Sequence, residues 1–221
     1  MNASDGAGEG STGRRSREEA REEILTVVER LLWERPLRDL TVADVMERTR
    51  IGRSAFYVYF RDRFHLVVAL LERLESELLA AAEPWLRGPG DSDPLVDVRL
   101  ALEATVAVWA RHGPVLRAIA EAAGQDHDVE AVYRGGLIEH FIVAVSNRIE
   151  RGQAVGRIRP LDARETAVAL ILLNERYLSD RMGRPPQAPT DKTVQVLYDV
   201  WSGVLYPPPP RSRRRGPTAS P

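Results

Sequence analysis

Residues 41–66 read TVADVMERTRIGRSAFYVYFRDRFHL, a pattern of short helix, tight turn, second short helix and the start of a third. Thr41 followed three residues later by Asp44 fits a helix start: the hydroxyl caps free backbone N–H groups, and the carboxylate sits in the positive first turn. Val42, Val45 and Met46 recur at helical spacing and give a small buried face. Arg50-Ile51-Gly52 interrupts that pattern. From Arg53 to Tyr59 it resumes as a helix too short to stand alone, anchored to a core by Phe56 and Phe60, one turn apart. Arg53, Ser54, Ala55, Tyr57 and Tyr59 are left to be shared between solvent and a partner. Asp62 then opens a longer helix with Phe64, Val67, Val68, Leu71 and Leu74 on its inner side.

A short exposed helix carrying Arg, Ser, Ala and Tyr, propped by a capped helix, suits the major groove of DNA, which is about 12 Å wide and admits one helix. Arg53 offers a planar fork for guanine, a small side chain such as Ala55 can meet a thymine methyl, and the hydroxyls of Thr41, Ser54, Tyr57 and Tyr59 can reach phosphates. A plain helical hairpin with two surface tyrosines fits the same composition.

The stretch resembles the DNA-binding module of TetR-family transcriptional repressors. Their pattern is a Ser/Thr-capped helix, a Gly-hydrophobic-Ser turn, a small-aromatic-Tyr-x-x-Phe run, then Pro-Ser-Lys and a helix. Ala55-Phe56-Tyr57-Val58-Tyr59-Phe60 matches the aromatic run, and Arg61-Asp62-Arg63 stands where the family has Pro-Ser-Lys. Arg50 occupies the turn position where the family usually has Gly, and Gly52 replaces the usual Ser cap. Arg63 in place of Lys retains the phosphate-binding cation that the resemblance implies, and adds a fork.

Composition bounds the rest. A chain of 221 residues suffices for a DNA-binding domain plus a larger core-forming one. The formal charge is only −1, so DNA contact has to be local; over residues 14–75, 13 Arg stand against 12 Asp plus Glu, and any footprint must come from arrangement. The absence of cysteine excludes disulfides, thiolate metal sites and cysteine catalysis. No signal peptide and no apolar run of the ~18–20 residues that span a membrane are present, which makes a cytoplasmic protein the expectation.

Residues 1–16 are Gly-rich and read as a disordered tail, with Arg14, Arg15 and Arg17 at its end able to touch DNA or simply to be solvated. Ile24, Val27, Val28, Leu31 and Leu32 define a helix from Arg17 to Glu34 that Pro36 ends. It completes a three-helix helix-turn-helix head over residues 17–61. Residues 62–206 form a C-terminal helical bundle for ligand binding and dimerisation. Its predicted helices run from Asp62 to about Leu79 or Trp85, from Pro94 to Ala110, from Val115 to Ala123 beyond a Gly113-Pro114 break, from Asp126 or Asp128 to about Gly152, from Asp162 to near Gly183, and from a Thr190 cap to Leu205. Residues 207–221 read as a disordered Pro/Arg-rich tail. No stretch alternates with strand period, so the class is all-α. The last two helices are apolar on more than one side, as a helix facing both its own core and a partner requires, and in the family resembled they form a four-helix dimer seam.

Catalytic chemistry is hard to find. His65, His112, His127 and His140 show no metal-binding spacing, and no Gly-rich phosphate loop appears. His127 between Asp126 and Asp128 fits either a metal site or, more simply, a surface helix cap. No catalytic residue, metal or cofactor is assigned. Tyr133, Leu137, His140 and Phe141 recur along one helix, Trp109 precedes Gly113-Pro114, Asn174-Glu175 lies among leucines that include Leu173, and Trp201 lies on the last helix. Such a mainly apolar, aromatic set with sparse polar groups suits a small-molecule site; it equally suits an ordinary core. Leu172-Leu173-Asn174-Glu175-Arg176 with Val200-Trp201 and Leu205-Tyr206 resembles the end of the EthR subgroup of the TetR family, in which an Asn of the Asn-Glu-Arg run is the main polar contact to ligands. The resemblance implies that role for Asn174, places Trp109, Tyr133 and Trp201 at aromatic pocket positions, puts His140 where the subgroup has an aromatic, and sets Ile171 where it has a second Asn. The expected protein is a homodimeric repressor that binds double-stranded operator DNA and leaves it when a hydrophobic small molecule enters the C-terminal core. A helical enzyme or a protein-interaction module with an appended head is the rival.

Overall fold

The computed structural model describes residues 9–87 and 93–206, with side chains from residue 17 onward except Arg53. Among these residues every regular element is helical, and no strand occurs. The predicted tail beyond residue 206, and residues 1–8, lie outside the described residues.

Helix α1 (Glu9–Glu34) buries Ile24, Leu25, Val28 and Leu31 and ends before Pro36. It begins eight residues earlier than the expected start at Arg17; its apolar stripe starts only at Ile24, and the segment before Arg17 carries no periodic apolar face from which a helix could be read. Helix α2 (Val42–Glu47) opens on a complete capping box. The Thr41 N–H donates to Asp44 Oδ2 at 2.8 Å, and the Asp44 N–H donates to Thr41 Oγ1 at 3.2 Å. The Thr41 hydroxyl first, and its backbone N–H second, hold the Asp44 carboxyl below its ordinary range. A 3₁₀ turn, Arg53–Ala55, leads into the single-turn helix α3 (Phe56–Tyr59). Phe56 and Phe60 are buried with ring centroids 5.5 Å apart, joining α3 to the core beneath α1.

Helix α4 (Arg63–Leu86) is capped by Asp62, whose Oδ1 accepts from the N–H groups of Phe64 and His65 at 2.9 Å each. The helix runs through Pro84 rather than stopping there. At 24 residues it is about 36 Å long and reaches from the head deep into the body.

Helix α5 (Pro94–Ala123) corrects the sequence reading more firmly. It is one 30-residue helix, capped by Asp93, and Gly113-Pro114 lies inside it instead of dividing it. Packing supplies the reason. Gly113 sits against the backbone of Met182, where a Cβ would collide with the Met182 carbonyl oxygen. Gln187 clasps the crossing, its amide donating to Met182 O at 2.7 Å and to Trp109 O at 3.4 Å. Buried along most of its surface, with Val96, Leu100, Glu103 and Arg111 on its exposed face, α5 contacts α4 and α1 and the later helices of the body.

Asp126 caps α6 (His127–Glu130), which passes without a break into a π-helical stretch, Ala131–Ile138, and then into α7 (Glu139–Ala154). The expected single α-helix is therefore wound more loosely in its first half. Helix α8 (Ala163–Met182) starts at an Asp162 cap, and α9 (Thr190–Leu205) follows Pro189. Thr190 is the first helical residue of α9 and not its cap, and no side chain caps that end. Head and body share one contiguous apolar core.

The α5–α8 crossing makes Gly113 intolerant of a side chain. Gly113→Ala is expected to lower unfolding stability by about 1–3 kcal/mol, although alanine favours helices; urea denaturation checks this, and an unchanged midpoint would contradict the crossing.

Candidate functional site

Two regions of the fold carry side chains suited to binding, the outer face of the head and a cavity inside the body. In the head, Thr41, Ser54 and Tyr57 are exposed, Tyr57 at 65%, while Phe56 beside it is buried. Ala55 is half-buried, as is Tyr59, which packs on the core more than it faces outward. The backbone of Arg53 opens the 3₁₀ turn, and its side chain lies outside the described residues. Arg63 is exposed at the start of α4, its guanidinium 4.8 Å from the centre of the Phe64 ring. The turn between α2 and α3 is tied to α1, because the Arg50 N–H donates to Glu23 Oε1 at 2.7 Å. Sequence reasoning missed this brace, since Glu23 lies 27 residues away and carries no motif.

Arg61, directly after α3, is 3.2 Å from Asp62 and 3.2 Å from Asp128 of α6. The second pair is an ion bridge between the end of the head and the body. Both side chains of that pair are 70% exposed, so the contact is weak and easily broken.

The cavity has a volume of about 110 Å³, several times the ~10–15 Å³ that one water requires. Helix α4 supplies Leu78 and Trp85, α5 supplies Leu102, Thr105 and Trp109, the π-helical stretch Tyr133 and Leu137, α7 Phe141 and Val145, α8 Ile171, Asn174 and Glu175, and α9 Trp201. Trp109, Tyr133, Leu137, Asn174 and Trp201 therefore share one wall system, as expected. His140 and Leu173 do not. His140 is exposed because the π-helical winding carries it past the wall, leaving Phe141 there instead. The cavity side of this helix reads Tyr133, Leu137, Phe141, Val145, a repeat of four; in a 3.6-residue helix that repeat would drift by about 120° over twelve residues. Leu173 is 39% exposed, since the inward face of α8 follows Leu170, Ile171, Asn174, Glu175 and Leu178, and Leu173 falls behind it.

The polar groups of the cavity are few. The Trp201 indole N–H donates to Asn174 Oδ1 at 2.9 Å, which leaves the Asn174 NH₂ group without a partner among the described residues. The Tyr133 hydroxyl makes a long bond to Glu175 Oε1, 3.4 Å. Burial first, and the Glu175 charge second, push the Tyr133 phenol well above its ordinary range, so it stays neutral and donates. At the other end, Trp85 meets Trp201 edge-to-face at 5.4 Å and donates its indole N–H to the Tyr206 hydroxyl at 2.9 Å. Arg148, 1% exposed, lies over the Trp85 ring and donates through Nε to the Trp85 carbonyl at 3.0 Å. Burial holds its guanidinium below its usual value. Sequence reasoning named Glu175 only as the neighbour of Asn174, and it did not single out Trp85, Thr105 or Arg148, whose burial depends on contacts between distant helices. Among the described residues, no group of three His, Asp or Glu side chains could hold a metal, and no helix is long and apolar enough to cross a membrane.

A short exposed helix on a capped support, joined by a long helix to an all-helical body with an aromatic cavity, is the build of a one-component helix-turn-helix regulator. Comparison with known proteins agrees. Residues 24–70 match the family of bacterial regulatory proteins, tetR family, and residues 98–207 match the C-terminal domain of transcriptional regulator EthR. The chain belongs to the TetR family of helix-turn-helix transcriptional regulators. It is similar to the HTH-type transcriptional regulator EthR of Mycobacterium tuberculosis (strain ATCC 25618 / H37Rv), 28% identical over 199 residues that cover 88% of this chain and 91% of that one. It is likewise 28% identical to EthR of Mycolicibacterium smegmatis over 193 residues, covering 83% and 84% of the two chains. Among solved structures, the TetR-family regulator PfmR from Thermus thermophilus superposes with a TM-score of 0.66 at 18% identity, over 80% of this chain and 95% of that one. Regulatory protein TetR from Rhodobacter sphaeroides gives 0.64 at 18%, over 84% and 98%. At those identities the structures speak for the fold alone. The relatives are transcriptional regulators and not enzymes, and the helical-enzyme rival falls. Members of this family bind DNA, dimerise, and carry a C-terminal ligand-binding domain.

The Trp201–Asn174 bond is testable without any ligand. Asn174→Leu removes the acceptor of a buried indole N–H and is expected to cost about 1–3 kcal/mol in unfolding stability. Asn174→Gln keeps a neutral amide acceptor and is expected to lose less. Paired urea titrations decide, and equal losses would mean the bond carries no weight.

Proposed function

We propose that this protein is a homodimeric repressor whose grip on its operator is released by a lipophilic small molecule bound in the body cavity. The observation that carries this reading is the continuity between the two regions. Asp128 touches Arg61 at the edge of the recognition helix, and Asp128 lies on α6, which runs directly into the π-helical stretch that lines the cavity with Tyr133 and Leu137. A ligand that repositions this stretch also moves Asp128. It can favour release only by binding the released arrangement more tightly than the DNA-bound one.

In the DNA-bound arrangement, α3 lies in the major groove. Thr41, Ser54, Tyr57 and Tyr59 serve as phosphate or groove contacts, Ala55 meets a base methyl, Arg63 pairs with phosphate, and Arg53 keeps the base-reading role its sequence position suggests. Arg61 is engaged by two carboxylates and contributes less. The dimer forms through α8 and α9. Leu172 and Leu173 on α8 and Val196 on α9 are large apolar side chains left exposed on helices that already bury another face, which supports a seam between two copies. Two-fold symmetry then spaces the recognition helices by one DNA turn, about 34–36 Å, or a multiple of it. A protein that works on an operator works beside the chromosome, in the cytoplasm.

Selection of bound DNA from a random pool, followed by titration over a range of salt, tests the head. Binding is expected to fall steeply with salt. The double variant Tyr57→Phe, Arg63→Ala is expected to bind every sequence more weakly, with a salt slope shallower by about 1 for the lost cation; operator affinity equal to the wild type would overturn the assignment. Light scattering at micromolar concentration is expected to give about twice the 24.7 kDa chain mass. Leu173→Glu is expected to shift that value toward one chain mass, and a wild type that scatters as a monomer would refute the seam.

A further inference from the structure

Glu175 is the one carboxylate on the cavity wall among the described residues, and it is poorly matched to its surroundings. The wall around it is aromatic and aliphatic. Its Oε1 receives only the long bond from Tyr133, and no cation lies within ion-pair distance of it among the described residues. The neighbouring Arg176 is committed to Asp180 at 3.2 Å, and Arg134 is exposed. While the cavity is open, water can solvate the carboxylate. A neutral lipophilic guest expels that water and leaves a charge in an apolar enclosure, a state that is far more costly than leaving an amide N–H unbonded. A guest bearing a positive charge removes the cost. The rings on the same wall add attraction, since Trp and Tyr draw cations by their quadrupoles and the effect grows as water leaves.

We infer that the effector is a lipophilic ammonium compound, whose charged head sits beside Glu175 near Tyr133 and Trp201 and whose apolar body extends toward Trp85. This inference rests on the proposed ligand-gated function and names the chemical class of its ligand. The Asn174 NH₂ group favours a different guest, one with a carbonyl oxygen and no charge. The two anchors therefore predict opposite rankings of otherwise similar ligands.

The experiment uses the full chain, with calorimetric titration of octyltrimethylammonium, N,N-dimethyloctanamide and octanoate below their micellar concentrations. The ammonium compound is expected to bind at least about tenfold more tightly than the amide, and octanoate most weakly. In Glu175→Gln, which preserves side-chain size, the ammonium compound is expected to lose about tenfold and the amide to bind as well as before, which also shows that the cavity is intact. An amide that binds the wild type as tightly as the ammonium compound, or a preference for the cation that survives in Glu175→Gln, would overturn the inference. Release of selected operator DNA is read in parallel. If the amide binds and releases DNA while the ammonium compound does neither, the ligand-gated reading stands and the cation inference fails. If none of the three binds, both fail.

Discussion

The close approach of α5 to α8 at Gly113 and Met182 governs the architecture of the body. Only a residue without a side chain lets the two backbones meet there, and Gln187 bonds to carbonyls of both helices at the crossing. Because the crossing holds α5 through Pro114, the helix stays continuous for 30 residues. That continuity lets one element touch α1 in the head, brace α4, and present Leu102, Thr105 and Trp109 to the cavity. A break at Gly113-Pro114 would have detached the head-facing end of α5 from the cavity-facing end.

The cavity is a region of low polarity whose polar groups are handled unequally. The Trp85 indole and the Tyr206 hydroxyl satisfy one another, Arg148 is anchored on the Trp85 carbonyl and over its ring, and the Trp201 indole is accepted by Asn174. These bonds fix two of the aromatic walls, Trp85 and Trp201, in place. On the Glu175 side the bonding is incomplete, a long contact from Tyr133 and a free amide NH₂. The bonding is thus uneven within a single enclosure: at the Trp85 end the aromatic groups are satisfied, although the buried Arg148 Nη1 has no partner among the described residues, and at the Glu175 end the acceptor and donor stay largely unmet.

Local chemistry made the head legible in the sequence. The Thr41–Asp44 box, the Phe56–Phe60 pair and the Asp62 cap each depend on residues within four positions, and each stands as read. The body was legible wherever a helix kept its 3.6-residue winding, which brought Trp109, Asn174 and Trp201 to one cavity. Three readings failed where distant contacts or unusual winding prevailed. Gly113-Pro114 signals a break locally, but the Met182 backbone 69 residues on overrides it. His140 was assigned by α-helical spacing across a stretch that is not α-helical. Glu9 to Ser16 join α1 without an apolar stripe to mark them. Leu173 was a simpler error of phase: the inward stripe of α8 runs Leu170, Ile171, Asn174, Glu175 and Leu178, and Leu172 and Leu173 fall on the opposite side of the helix.

The π-helical stretch Ala131–Ile138 has a consequence for how this receptor can change over time. A helix adopts i→i+5 bonding when it holds more residues than its span requires, and the surplus is absorbed locally while the helix on either side keeps its position. Gly135 and Gly136 sit within it, with open space or only ordinary contact around them. Here a residue gained or lost can be taken up in the winding of the stretch itself. Length variation, normally confined to loops, is thereby admitted into a wall of the binding cavity. A lineage of such regulators can diversify its ligands by insertion and deletion as well as by substitution, while the DNA-reading end remains unaltered.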